Sequence, residues 1–196
     1  MSSSEEQQLR QRIFDICSSE NCDSINFNIE GTTITGVGLR SVAKLVASDK
    51  IHIKVEKQDK DAGASYDPKK NSLSFPTVNF GLNLFEKSLI VHECTHALID
   101  VNKSKTLTVI DELCAYTAQF TYLQPLISAG LFRVDPDESS IFLAANIVAG
   151  HVMAGTNLNI MPAATDVNNL RYAIYLAPLY KDLNKYRNDY SLTDGV

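Results

Sequence analysis

The chain lacks several features that mark large classes of protein. It contains no block of basic residues and has a formal net charge of -5 at pH 7, so we expect no nucleic-acid partner. It contains no run of about 18 apolar residues, so we expect no membrane-spanning helix. Its four cysteines, Cys17, Cys22, Cys94 and Cys114, form no C-x-x-C pair. This pattern favours free thiols in a reducing compartment.

The first residues, MSSSEEQQLRQR, lack the apolar segment of a secretory signal peptide. We therefore expect a cytoplasmic protein, or one that is exported by a route independent of a signal peptide. With 196 residues, of which 44% are hydrophobic and 21% charged, the chain is long enough to bury its own core. We expect a single domain spanning residues 1–196. No pattern in the sequence indicates an oligomeric state.

Hydrophobic periodicity divides the chain into a mixed α/β part, residues 1–80, and a helical part, residues 81–196. Turn-forming residues near position 68 predict a hairpin at the end of the first part. The order of the elements predicts an α+β fold. The predicted elements are helix 4–19, strand 25–30, helix 38–49, strand 50–57, strands 64–66 and 72–75, and helices 84–101, 107–128, 135–154 and 165–186.

The helix predicted over residues 84–101 carries the motif His92-Glu93-Cys94-Thr95-His96. Side chains four residues apart lie on the same face of a helix, so His92 and His96 can direct two imidazole nitrogens to one point. Such nitrogens are zinc ligands. Glu93 lies about 100° around the helix from His92, where its carboxylate can reach a water bound to the metal. This geometry makes Glu93 the candidate general base.

A third ligand is expected on the next helix, within the stretch VIDELCAYTAQF. Glu112 lies on the same face as Ala115, whose small side chain lets the two helices approach closely. An antiparallel pair of helices would then place Glu112 opposite the two histidines. Asp111 is the alternative ligand, on a different face and with a shorter side chain.

His92-Glu93-x-x-His96 followed by Glu112-x-x-Ala115 resembles the zincin metallopeptidases of the gluzincin type. The resemblance covers residues 63–120. It implies that His92, His96 and Glu112 bind zinc and that Glu93 activates the zinc-bound water for hydrolysis of a peptide or protein substrate. It also implies a zincin-like fold, in which a small mixed sheet with an edge hairpin precedes the motif helix. The alternative is a non-catalytic zincin-like module, or a secreted effector, that uses the fold to recognise a partner.

The edge hairpin also follows from the residues themselves. A peptidase must hold its substrate extended, and a free sheet edge does so through main-chain hydrogen bonds. The strand at 72–75 ends at Pro76 and carries Ser72 and Ser74 on a polar face, which predicts an edge position for this strand.

Peptide hydrolysis further requires a donor for the oxyanion of the tetrahedral intermediate. Several side chains of the helical part are candidates for this role, and the sequence does not choose among them. They are His151, Tyr116, Tyr122, Arg171 and Tyr172.

Overall fold

The computed structural model describes residues 4–58, 63–135 and 139–180. It shows an α+β fold that is mostly helical, as the sequence predicts. Within these ranges, no helix combines the length and the apolar character that a membrane crossing requires. The elements are α1 (Ser4–Cys17), α2 (Glu20–Asp23), β1 (Asn26–Ile29), β2 (Thr32–Thr35), α3 (Gly36–Ala47), β3 (His52–Val55), β4 (Ser65–Asp67), β5 (Ser72–Phe75), α4 (Leu84–Val101), α5 (Thr108–Ser128), α6 (Ser140–Met153) and α7 (Ala163–Leu176).

The strands form two small sheets. β1 and β2 make an antiparallel hairpin, and its turn residues Glu30 and Gly31 both have positive φ angles, 48° and 88°. Two consecutive positive φ angles are typical of a type I′ turn. The strand β2 was not predicted, because the sequence after Gly31 has no clear alternation of apolar and polar residues.

The second sheet is mixed, as predicted, with the strand order β3-β5-β4. β3 is parallel to β5, and β4 is antiparallel to β5. The predicted edge position of the strand at 72–75 is therefore wrong: this strand is central, and Ser72 and Ser74 are buried. β3 and β4 are the two edge strands instead. The hairpin of β4 and β5 is confirmed, and the short 3-10 turn Pro68–Lys70 connects its strands.

The helix α4 has the predicted bounds and begins at a well-formed cap. The Asn83 side chain accepts a hydrogen bond from the backbone N–H of Glu86. The Glu86 carboxylate in turn accepts from the N–H groups of Gly81 and Leu82, at 2.9 and 3.1 Å. The bond to Asn83 satisfies one of the N–H groups that a helix start leaves unpaired, and the bonds to Glu86 hold the two residues that precede the cap. They fix the entry of the chain into the helix that carries the histidine motif.

Two predicted helices differ from the structure by more than two residues at one end. α6 begins at Ser140, and Ser139 caps it by accepting from the N–H of Ile141; residues 136–138 of the predicted start lie outside the described residues. α7 ends at Leu176, and a 3-10 turn, Pro178–Tyr180, follows it. Proline at 178 disfavours continuation of the helix. Residues 181–186 of the predicted helix also lie outside the described residues.

One cluster of buried apolar side chains joins both parts of the chain. It includes Leu9 of α1, Leu73 of β5, Ile90 of α4, Leu113 of α5 and Leu170 of α7. All four cysteines are free, as the sequence predicts, and all are buried, where a thiol packs as a small apolar side chain. Burial raises the pKa of the Cys114 thiol, so this cysteine is held in its neutral form.

Gly36, at the start of α3, is a position where the fold requires glycine. A Cβ atom there would overlap the backbone carbonyl of Cys22, which cannot move without displacing α2. We expect Gly36→Ala to lower the free energy of unfolding by about 1–3 kcal/mol, measured by urea denaturation. Gly150 in α6 is the matched control, because a Cβ there meets nothing within 4 Å. Gly150→Ala should be neutral or stabilising by about 0.5–1 kcal/mol. Equal midpoints for the two variants would contradict the predicted overlap.

Candidate metal centre

The helices α4 and α5 run antiparallel, and side chains from both form the site. His96 contacts Asp111, whereas His92, one turn earlier, contacts Gln119, two turns later. Contacts that advance along one helix while they retreat along the other define an antiparallel pair. Ala115, between Asp111 and Gln119, is fully buried, and its small side chain allows the close approach that the sequence predicts.

His92, His96 and Glu112 form a group that could hold a metal ion. One ligand atom from each of the three lies within 4.8 Å of the others. The Nε2 atom of His92 is 3.5 Å from Glu112 Oε2, and the Nε2 atom of His96 is 3.8 Å from Glu112 Oε1. Ligand atoms at about 2.0–2.1 Å from a tetrahedral zinc ion are roughly 3.3 Å apart. The observed spacing is close to that value.

The other ring nitrogen of each histidine is held by an acceptor. His92 Nδ1 lies 3.1 Å from Gln119 Oε1, and the amide nitrogen of Gln119 donates to Ser88 Oγ. His96 Nδ1 lies 2.7 Å from Asp111 Oδ1. Because these oxygens accept, both Nδ1 atoms are the donors. Acceptors of this kind orient metal-binding histidines in proteins and fix the tautomer that leaves Nε2 for the ion.

Asp111, the alternative third ligand, therefore contacts the back of His96, while Glu112 faces both Nε2 atoms. The two acids are neighbours in sequence but lie about 100° apart around α5. Gln119, which holds His92, was not singled out from the sequence. Its spacing from Glu112, seven residues along the helix, places it on the same face and could have identified it.

In the absence of a cation, His96 and Glu112 favour each other's charged forms, so the imidazole is protonated and the carboxyl is ionised. Burial opposes the charged form of His96, but the carboxylates of Asp111 and Glu112 outweigh it and raise the pKa of His96 to about 10. Burial likewise opposes ionisation of Glu112, but His96 and His92 lower its pKa overall. A bound cation would take the place of the proton between them.

Glu93 lies beside the three ligands and is nearly fully buried. Burial raises the pKa of the Glu93 carboxyl, and the positive character of the two histidines only partly offsets it. The backbone N–H of Tyr66, in the edge strand β4, lowers this pKa slightly and is the smallest of the influences on it. Both residues line the same cleft, so the motif glutamate lies near the sheet edge.

The site forms the floor of a cleft of about 470 Å³. The lining comes from β4 and the residues just before it, from α4, α5 and α6, and from the turn after α7. Gly63 lies directly against α4, where a Cβ atom would meet the Leu89 side chain. The lining includes Gly63, Ala64, Ser65, Tyr66, Pro68, Phe85, Leu89, His92, Glu93, His96, Asp100, Asp111, Glu112, Tyr116, Phe142, Leu179 and Tyr180.

Of the five candidates for an oxyanion donor, Tyr116 alone lines the cleft among the residues that the structure describes. Its ring packs edge-to-face on His92, with 4.7 Å between centroids. The other four lie elsewhere: His151 contacts Asp166, Arg171 contacts Glu30, Tyr172 is exposed, and Tyr122 lines a separate pocket near α1.

Tyr180 reaches the site and was not identified from the sequence. Its hydroxyl donates to Glu112 Oε2 at 2.9 Å and lies 2.9 Å from the Tyr116 hydroxyl. Tyr180 belongs to the turn after α7 and lies 68 positions after Glu112 in the sequence. No local spacing in the sequence relates the two residues.

Comparison with known proteins gives no family for this chain. No protein-family profile matches it, and no curated protein or solved structure matches it either. The proposals that follow therefore depend on the chemistry of the site.

Proposed function

We propose that this chain is a small zinc-dependent peptidase with a zincin-like architecture. The observation that carries the proposal is the convergence of His92, His96 and Glu112 on one point at the floor of a cleft, with Glu93 buried beside them. Two imidazoles and one carboxylate are the ligand set of a group of catalytic zinc sites, and such a set leaves one position for water or substrate.

The donor chemistry of the group favours zinc over the alkaline-earth cations. Calcium and magnesium prefer oxygen ligands in larger number, whereas two neutral imidazoles suit zinc and other first-row transition metals. The oxygen of Gln119 and the carboxylate of Asp111 on the two Nδ1 atoms hold the imidazoles in the orientation that binding requires. When bound, zinc would lower the pKa of a water molecule and polarise the carbonyl of the substrate.

Glu93 is the proposed general base. Its carboxyl is buried beside the proposed ligands and lines the same cleft, and a carboxylate in such a place can accept a proton from a bound water and then return it. In this proposal Glu93 removes the proton from the attacking water and delivers it to the leaving amine.

The cleft walls support an extended peptide as the substrate. β4 is an edge strand that lines the cleft, and edge strands bind extended peptides through the main chain. The cleft is also lined by Phe85, Leu89, Phe142 and Leu179, which would pack against large apolar side chains near the scissile bond. No lysine or arginine lines the cleft among the residues that the structure describes, so acidic side chains should be disfavoured there.

Incubation of the zinc-loaded protein with unfolded casein, with and without a chelator, tests the proposal. We expect cleavage that the chelator abolishes and that added zinc restores. The fragment ends, read by mass spectrometry, should be enriched in large apolar residues. Bound zinc with no cleavage of casein or of a peptide library would contradict the peptidase proposal and favour the non-catalytic recognition module.

A further inference from the structure

We propose that Tyr180 is a positioning residue of the metal centre, whose hydroxyl holds the Glu112 carboxylate in the orientation that binds the ion. The inference rests on the proposed metal centre, and it assigns a role to the turn that follows α7. Among the described residues, the other side chains that hydrogen-bond to the three ligands come from α5, so this turn joins a distant part of the chain to the site.

The direction of the hydrogen bonds follows from the number of protons. An ionised carboxylate can only accept hydrogen bonds, so the Tyr180 hydroxyl must donate its single proton to Glu112 Oε2. The Tyr180 oxygen is then free to accept, and the Tyr116 hydroxyl, 2.9 Å away, must be the donor to it. The result is a one-way chain of donors from Tyr116 through Tyr180 to Glu112.

This series of hydrogen bonds fixes the rotation of the Glu112 carboxylate. Oε2 is held by Tyr180 at 2.9 Å, while Oε1 is turned toward His96 Nε2, at 3.8 Å. A glutamate has three rotatable side-chain bonds, and a bond at one oxygen removes much of the freedom that metal binding would otherwise have to remove. Outer hydrogen bonds to ligating carboxylates serve this purpose in metalloproteins.

Ring packing holds Tyr180 itself in place. Its ring is perpendicular to that of Tyr116, with 6.3 Å between centroids, and Tyr116 packs in the same manner on His92. Tyr116 therefore contacts one histidine ligand with its ring and supports the glutamate ligand through its hydroxyl. The two tyrosines connect ligands on both helices of the α4–α5 pair.

Tyr180→Phe tests the inference, because it removes the hydroxyl and keeps the ring. Zinc affinity, measured by competition with a chromophoric chelator, should fall by about 10–100-fold. Tyr172→Phe is the matched control, since Tyr172 is 68% exposed on α7, and its affinity should equal that of the unaltered protein. Circular dichroism and thermal unfolding of the metal-free variants check that both fold.

Glu112→Ala distinguishes action through the carboxylate from a general disturbance of the cleft. In the Glu112→Ala background, Tyr180→Phe should no longer change the already weakened zinc affinity. An unchanged affinity of the single Tyr180→Phe variant, or an equal fold-loss in both backgrounds, would overturn the inference. The role of Tyr180 is tested by zinc affinity, whereas the peptidase proposal is tested by casein cleavage. Either one can therefore fail while the other holds. A protein that binds no zinc would refute both proposals.

Discussion

Glu93→Gln is expected to retain zinc and to lose hydrolysis of peptide substrates by about 10²–10⁴-fold in kcat. The amide has nearly the same size as the carboxylate and can still occupy the buried position beside the ligands, but it cannot accept the proton of water. The metal ligands are untouched, so the zinc content should remain one equivalent. Initial-rate assays on a casein-derived peptide measure kcat, and metal analysis of the same preparation measures the zinc content.

The control for this variant is Glu20→Gln, which makes the same chemical change at an exposed position of α2. It should match the unaltered protein in both zinc content and kcat. Hydrolysis that survives in Glu93→Gln would remove Glu93 from its proposed role, even if the zinc site itself is correct. Loss of zinc from Glu93→Gln would instead mean that this glutamate belongs to the ligand set.

Zinc is expected to stabilise the folded protein strongly, and His96→Ala should abolish that effect. The ligands come from two helices, so they converge only in the folded chain. Free zinc at 1,000 times the dissociation constant then adds about 4.1 kcal/mol to the free energy of unfolding. For a chain of this size, that corresponds to a rise of roughly 8–16 °C in Tm. Calorimetry with and without zinc measures the shift.

His52→Ala is the matched control for this experiment, because His52 is exposed on β3 and pairs with Asp49 rather than with the ligands. It should keep the full rise in Tm. A zinc-dependent rise that persists in His96→Ala would place the ion somewhere other than the site formed by α4 and α5. No rise in the unaltered protein would argue against a zinc site at all.

The sequence predicts the helices well where a continuous apolar face controls them. The bounds of α4 agree with the prediction because apolar residues recur along it and Asn83 provides a cap. The start of α5 also agrees to within one residue, and Pro125 lies inside that helix without ending it. These features depend on neighbours within one or two turns, which a sequence displays directly.

The order of strands depends on contacts that the sequence does not display. Ser72 and Ser74 look like the polar face of an edge strand, yet β3 and β4 flank them on both sides. Ser74 can be buried because its hydroxyl donates to the Glu56 carboxylate. That partner lies 18 residues earlier, beyond the reach of alternation or turn patterns.

The candidate site likewise contains residues that local spacing predicts and residues that depend on distant contacts. Two histidines four residues apart and an acid on the following helix could be identified from spacing, since helical geometry fixes their directions. The choice between Asp111 and Glu112 as the ligand could not be made from the sequence, because it depends on how α5 packs on α4. That packing places Asp111 against Nδ1 of His96 and Glu112 toward Nε2. Tyr180 could not be found in this way, because α6 and α7 lie between it and α5 in the sequence and only the folded chain brings it to Glu112.

All three candidate ligands, and the two acceptors that orient the histidines, lie between residues 92 and 119 on a single helical hairpin. Few residues separate these groups, so closure of the loop between them costs little chain entropy. The hairpin is consequently a compact unit whose cation binding could be tested after transplantation into another helical scaffold. The transplant would leave behind Tyr180, which holds Glu112, so on the proposal above it should bind zinc more weakly than the whole protein does.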